Sequence, residues 1–280
     1  MNLSPLRYPG GKARIVPMID EIIKCLSPEI TTYYEPFCGG AGVAMHLLMN
    51  GSVEKIALND FDRSIYSFWR SVFLDTGKLI CMIEKTPITI KEWNKQKTIY
   101  QNASKYSVDY AFATLFLNRT NRSGIITAGP IGGYEQKGIW KINARFNKTE
   151  IIDRIINISK YKKYVYINNM DIRRYLNKKI LGKGDFIFFD SPYVNNGKRL
   201  YKNALTYKDH FEIAKIIKNI NKVKWIITYD DTELVRSLYS NYYISQFSIQ
   251  YSAATKKKEK ELLIYKDPTM YESIQRFVVS

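Results

Sequence analysis

Several short β-rich runs break off into polar or acidic residues: Thr31–Pro36, Lys55–Asp60, Lys163–Asp171, Asp185–Asp190 and Val223–Tyr229. This feature constrains the chain most. A near-continuous apolar run is what a strand buried on both faces needs, and an acid at its carboxyl end is where open parallel sheets place their chemistry. Between some of these runs lie Gly42–Met49, Lys148–Ile158 and His210–Ile220, whose apolar residues recur at helical spacing. Strands alternating with helices predict a doubly wound α/β sheet.

The alternation fails from about Ser64 to Asn147. Ile65–Thr76, Gly77–Ile83 and Val108–Leu117 read as helices, and Thr120–Asn147, rich in Gly, Asn, Lys and Arg, reads as a loop or hairpin. The expected division is therefore a core of residues 1–63 and 148–280 with residues 64–147 as an inserted subdomain. The basic run Lys256–Lys260 reads as a turn between two C-terminal strands.

Forty-three Lys and Arg against 26 Asp and Glu leave a formal charge of +17 on 280 residues, which favours a polyanionic partner, nucleic acid first. An AT-rich genome enriching Lys, Asn, Ile and Tyr is the alternative source of that charge. Cys25, Cys38 and Cys81 form no CxxC pair and are joined by only His46 and His210, which argues against a disulfide framework and a metal site. No apolar leader opens the chain and no apolar run of spanning length occurs, so a soluble cytoplasmic protein away from membranes is expected; a monomer is the expected state in solution.

Chemistry concentrates in two places. Tyr34-Glu35-Pro36-Phe37-Cys38-Gly39-Gly40-Ala41-Gly42 follows a strand and opens a helix, where glycines let a ligand approach the backbone and free N–H groups face it. About twenty residues on, Asn59-Asp60 supplies an acid of the kind that accepts ribose hydroxyls. Together they favour a nucleoside-bearing cofactor. The spacing is not that of a dinucleotide site. Gly10-Gly11-Lys12 is not a phosphate loop, because Leu6 and Ala13 occupy positions that need Gly and Ser or Thr.

The second place is Phe186-Ile187-Phe188-Phe189-Asp190-Ser191-Pro192-Tyr193. An exocyclic amine on a purine is a poor nucleophile because its lone pair is delocalised into the ring. A carboxylate at Asp190 and the main-chain carbonyl of Ser191 would accept its two N–H groups and localise that pair, while Tyr193 stacks on a base turned out of the duplex. Pro192 restricts the backbone beside them. A strand ending in an Asp-capped turn and a buried Tyr would look the same.

Read in order, these pieces resemble the Dam-like, D12-class family of adenine-N6 DNA methyltransferases. The pieces are Arg7-Tyr8-Pro9-Gly10-Gly11-Lys12, the Tyr34–Gly40 motif, Asn59-Asp60, Phe116-Leu117-Asn118-Arg119-Thr120, Asn169-Met170-Asp171, Asp190-Ser191-Pro192-Tyr193, Thr228-Tyr229-Asp230-Asp231 and Lys260-Glu261-Leu262-Leu263-Ile264. The resemblance implies a doubly wound Rossmann-like methyltransferase sheet with an inserted, mainly helical target-recognition subdomain. It implies S-adenosylmethionine as cofactor, touched by Tyr8, Lys12, Glu35, Pro36, Phe37, Gly39, Gly40, Asp60 and Asp171. It makes Asp190, Ser191, Pro192 and Tyr193 the catalytic set, with Ser191 standing where the family usually carries proline.

The implied partner is double-stranded DNA with a short adenine-bearing site. Arg119, Asn121, Arg122, Lys137, Lys141 and Arg145 are the expected contacts, and Lys198 joins them from the basic stretch Asn195–Lys202. A restriction-modification or DNA-protection role follows. Cytosine-N4 methylation, protein glutamine methylation and a DNA-binding protein without catalysis are the competing readings.

Overall fold

The computed structural model describes residues 3–7, 12, 15–26, 29–178, 181–195, 205–250 and 258–279. Its sheet has the order β3-β2-β1-β4-β5-β7-β6. The strands are β1 (Thr32–Glu35), β2 (Lys55–Asn59), β3 (Val165–Asn168), β4 (Asp185–Asp190), β5 (Lys224–Asp230), β6 (Tyr243–Gln250) and β7 (Lys258–Tyr265). β1 runs parallel to β2 and β4, and β4 parallel to β5; β7 lies antiparallel between β5 and β6. The five expected strands are all present, and the order turns back on itself between β1 and β4. That switch point is where an open α/β sheet leaves a crevice for a ligand.

The chain forms two compact units, residues 1–11 with 62–167 and residues 12–61 with 168–280, the division passing through β3. In the second unit both faces of the central strands are buried. Ile187 and Phe189 of β4, Trp225, Ile227 and Tyr229 of β5, and Leu262 and Ile264 of β7 pack with α8 (Ile172–Lys178), α9 (Tyr207–Lys218) and α10 (Glu233–Leu238). Phe186, Phe188, Ile226 and Leu263, which alternate with them, are fully buried on the other face. α1 (Val16–Leu26), α2 (Gly42–Met49) and α11 (Tyr271–Val279) complete this unit. Helix α9 begins with a capping box, Thr206 accepting from the Asp209 N–H while Asp209 accepts from Thr206.

The first unit is mainly helical: α3 (Arg63–Leu74), α4 (Thr76–Lys85), α5 (Ile90–Asn102), α6 (Val108–Thr120) and α7 (Lys148–Ser159). The expected insertion ends at 147, whereas the compact unit runs on to 167. The reason is that Ile151, Ile155 and Ile158 of α7 are buried and α7 packs against α3 and α4. Asp62, Thr89, Ser107 and Asn147 cap α3, α5, α6 and α7 by accepting a backbone N–H in the first turn. Residues 121–147 hold one antiparallel bridge, Asn121 with Pro130, a short 3-10 turn and a series of further turns. Lys258–Lys260 of the C-terminal basic run lie in β7 and not in a turn; Lys256 and Lys257 fall outside the described residues. Among the described residues no helix is long and apolar enough to cross a membrane.

Candidate active site

β4 carries Asp190 to its carboxyl end, opposite Thr228 on β5. The Thr228 hydroxyl donates to Asp190 Oδ1 at 2.8 Å. The Lys12 ammonium lies 3.1 Å from the same oxygen and 3.1 Å from Glu261 Oε2, and donates to Tyr193 Oη at 2.9 Å. The Tyr193 hydroxyl in turn donates to Glu261 Oε1. The side chains of Lys12 and Glu261 are 2% and 1% exposed, whereas that of Asp190 keeps 23%. Asp190 is thus the one member of this charged cluster with an oxygen-bearing group open to a substrate.

Burial raises the Asp190 acid above the usual carboxylate range; the Lys12 charge opposes this and the Glu261 charge adds to it. Glu35, at the end of β1, is pushed further up by burial and then by the Asp190 charge. Its carboxyl accepts the Ala44 N–H at 3.3 Å. Helix α2 needs that bond, because Ala41 at its N-cap has no side-chain acceptor and sits at φ 46°.

The cofactor motif closes on itself through Asp60 and Asn59. Asp60 Oδ2 accepts the Gly39 N–H at 2.9 Å, and Gly39 adopts φ 42°, a conformation suited to glycine. Asn59 is buried. Its amide donates to the Pro36 and Met170 carbonyls, both at 3.0 Å, and its oxygen accepts the Met170 N–H. One side chain therefore ties together the segments that follow β1, β2 and β3. Asp171 caps α8, and both its oxygens accept from Arg173, which holds its carboxyl below the usual range. Phe37 is half-buried against the core, Pro36 is buried, and Gly40 is buried in the turn before α2.

Asp230 lies at the end of β5 beside the tetrapeptide. Its carboxylate accepts the N–H groups of Val194 at 2.9 Å and Asn195 at 3.0 Å, fixing the chain just after Tyr193. Ser191 and Tyr193 are buried at 1% and 3% exposure, and Pro192 is half-buried. Tyr8 and Lys198 lie outside the described residues.

The expected DNA contacts divide. Arg119 is buried, its Nε donating to the Pro5 carbonyl at 2.7 Å, and burial lowers its pKa to about 10. Asn121 is fully buried: it accepts from Trp93 Nε1 at 2.6 Å and donates to the Ile125 and Ile126 carbonyls. As placed, these two hold the 121–147 loop from inside. Arg122, Lys137, Lys141 and Arg145 are exposed, and Ile139 and Trp140 among them are 93% and 68% exposed.

Glu261, Thr228, Asn59 and Asp230 were not singled out as site residues from the sequence. A signal existed for Glu261, a charged residue directly before the apolar run Leu262–Ile264 of β7, but charge in a strand does not say what it faces.

The order of these pieces along the chain decides the family: residues 8–267 match the D12 class N6 adenine-specific DNA methyltransferases. The chain belongs to that family. The enzyme accordingly methylates adenine at N6 in DNA. Among solved structures, it shares 10% identity and a TM-score of 0.40 with the rRNA methyltransferase AviRa of Streptomyces viridochromogenes, over 92% of this chain and 84% of that one. TrmK of M. capricolum, solved with S-adenosylhomocysteine, gives 9% and 0.37, over 89% and 70%. A Listeria monocytogenes structure described as a class I S-adenosylmethionine-dependent methyltransferase gives 9% and 0.38; 91% of this chain spans 60% of that protein's length. No curated protein sequence matches the enzyme.

Proposed function

We propose that the methyltransferase turns an adenine of double-stranded DNA out of the helix and presents its N6 to Asp190 and the Ser191 carbonyl, with S-adenosylmethionine in the crevice beside β1 and β2. The observation that carries this reading is the Asp190 carboxylate at the end of β4, which keeps 23% of its side-chain surface open while its partners Lys12 and Glu261 keep 2% and 1%. The donor set fits a nucleoside-bearing methyl donor. Asp60 and Asp171 offer carboxylate oxygens of the kind that accept from ribose hydroxyls and an adenine amine beside the bonds they already make to Gly39 and Arg173, since a carboxylate accepts at about four sites. Gly39 and Gly40 leave the β1–α2 turn without side chains. Glu35, Pro36 and Phe37 line the approach to it, and Tyr8 and Lys12 complete the expected set. When bound, S-adenosylmethionine supplies a methyl carried on a sulfonium leaving group.

The protein's own residues supply position and charge. Asp190 accepts one N6–H and the Ser191 carbonyl the other, which localises the nitrogen lone pair. With its acid raised by burial, Asp190 is also the nearest acceptor for the proton that N6 must shed. Serine suffices at 191 because the acceptor required there is main-chain. Thr228 and Lys12 hold the carboxylate in place. Tyr193 offers its ring to the extruded base once that ring, buried in this structure, is uncovered.

Arg122, Lys137, Lys141 and Arg145 reach phosphates and base edges, with Arg119 and Asn121 supporting the loop. Such an enzyme serves restriction-modification or DNA protection. The decisive experiment digests DNA methylated by wild-type and Asp190→Ala protein to nucleosides. N6-methyladenine from the first and none from the second is expected; N4-methylcytosine, or full activity of the variant, would overturn the reading.

A further inference from the structure

The mechanism above leaves one buried charge without a task. Glu261 sits on β7, paired in register with Asp230, on the sheet face it shares with Leu263, Thr228 and Asp190. Its carboxylate is 1% exposed, and the apolar run Leu262–Ile264 that follows it would be continued more cheaply by another aliphatic residue. A second buried carboxylate beside a catalytic one carries an electrostatic cost, since one Lys12 ammonium must serve both. The cost is offset at Oε1, which accepts from the Tyr193 hydroxyl and from Lys12 Nζ at 3.3 Å, and by the ion pair that places the same ammonium 3.1 Å from Oε2.

We propose that Glu261 is a positioning residue for adenine methylation, acting through Tyr193 and Lys12 and not on the substrate itself. This rests on the reading of Asp190 and Tyr193 given above. A phenol ring attached through one Cα–Cβ bond can swing about χ1 and tilt about χ2. Fixing its hydroxyl at the far end removes that freedom and sets the plane of the ring that a base would meet once the ring is uncovered. The Lys12 ammonium, shared between Glu261 and Asp190, is likewise held to the Asp190 Oδ1 side with the Thr228 hydroxyl. Asp190 keeps its remaining oxygen for the amine. The clamp thus sets ring and carboxylate relative to each other, and a misplacement of about 1 Å between reacting groups costs on the order of a hundredfold in rate.

The test is a double-mutant cycle on the full chain with Glu261→Met, which removes the acceptor at similar volume, Tyr193→Phe and the pair, reading kcat and the KM for S-adenosylmethionine separately. Each single variant is expected to lose about 10- to 100-fold in kcat with the cofactor KM within about twofold. The pair is expected to lose far less than the product of the singles, because both remove the Tyr193–Glu261 bond. A Glu261→Met protein within about twofold of wild-type kcat, or a pair whose loss is the product of the singles, overturns the proposal. If Glu261→Met does not fold, Tyr193→Phe alone decides: wild-type kcat overturns, the expected loss with unchanged cofactor KM supports. Asp190→Ala run alongside separates the two levels. Its inactivity together with a normal Glu261→Met removes only the role of Glu261, whereas its full activity removes the underlying reading.

Discussion

Both compact units bury polar side chains, and they do so in opposite ways. In the unit of residues 12–61 and 168–280, Lys12, Asp190, Glu261 and Tyr193 are paired chiefly with one another, about the carboxyl ends of β4 and β5. In the helical unit, Asn118, Arg119 and Asn121 are spent largely on backbone. Asn118 exchanges hydrogen bonds with both main-chain groups of Arg7 and donates to the Gly124 carbonyl, all at 2.7 to 2.8 Å. Side chains that satisfy main-chain groups hold loops that have no ladder of their own. Side chains that satisfy only each other, at a strand end with one carboxylate left open, are poised for a ligand. The difference separates scaffold from chemistry among residues of the same chemical type.

The sharpest way to break that distinction is Asp190→Ala, for which we expect methylation to fall about a thousandfold or more with little change in melting temperature. Nucleoside analysis and thermal melting measure the two. Asn118→Ala should do the reverse. Loss of its buried bonds is expected to cost about 1–3 kcal/mol in chemical denaturation and to weaken DNA binding, while cofactor affinity stays within error.

A smaller effect concerns Glu35, whose acid is raised mainly by burial. The folded state then holds this proton more tightly than the unfolded chain. Stability on its account is full below the unfolded carboxylate value and is lost as pH rises toward the raised folded value, at up to about 1.4 kcal/mol per pH unit. Glu35→Gln keeps an acceptor for the Ala44 N–H and removes the titration. It should therefore gain on the wild type as pH rises, a trend refuted if, in denaturation at two pH values, the variant loses as much stability as the wild type or more. The smallest effects belong to the exposed loop. Replacing Arg122, Lys137, Lys141 or Arg145 singly by Ala should weaken DNA binding a fewfold and reduce the salt slope by about one. A residue without that signature does not meet phosphate.

The legibility of the two units differed for related reasons. β4 matched its expected bounds because Phe186–Phe189 is apolar at every position, which only a strand covered on both faces tolerates. Helix α2 matched for the same reason, bounded by glycine and by Asn50. Helix α5 was not foreseen: Ile90–Asn102 is largely polar and buries Trp93, Gln96 and Tyr100, a stripe too thin to announce itself. Arg119 and Asn121 looked like base-reading side chains because their chemistry suits both a groove and a backbone carbonyl, and composition does not distinguish the two.

By itself the sequence determined strands β1 to β5, the helices with a broad apolar stripe such as α2 and α9, the acids that end the strands and, through the spacing of its motifs, the family. Those properties are local, since periodicity and punctuation act over a few residues. Only the tertiary structure decided which acids share a proton-bearing neighbourhood, which arginine is spent inside, and that Glu261 meets Lys12 across 249 positions of chain. Such pairings depend on the register between β4, β5 and β7, and register is settled by packing on both faces of the sheet at once.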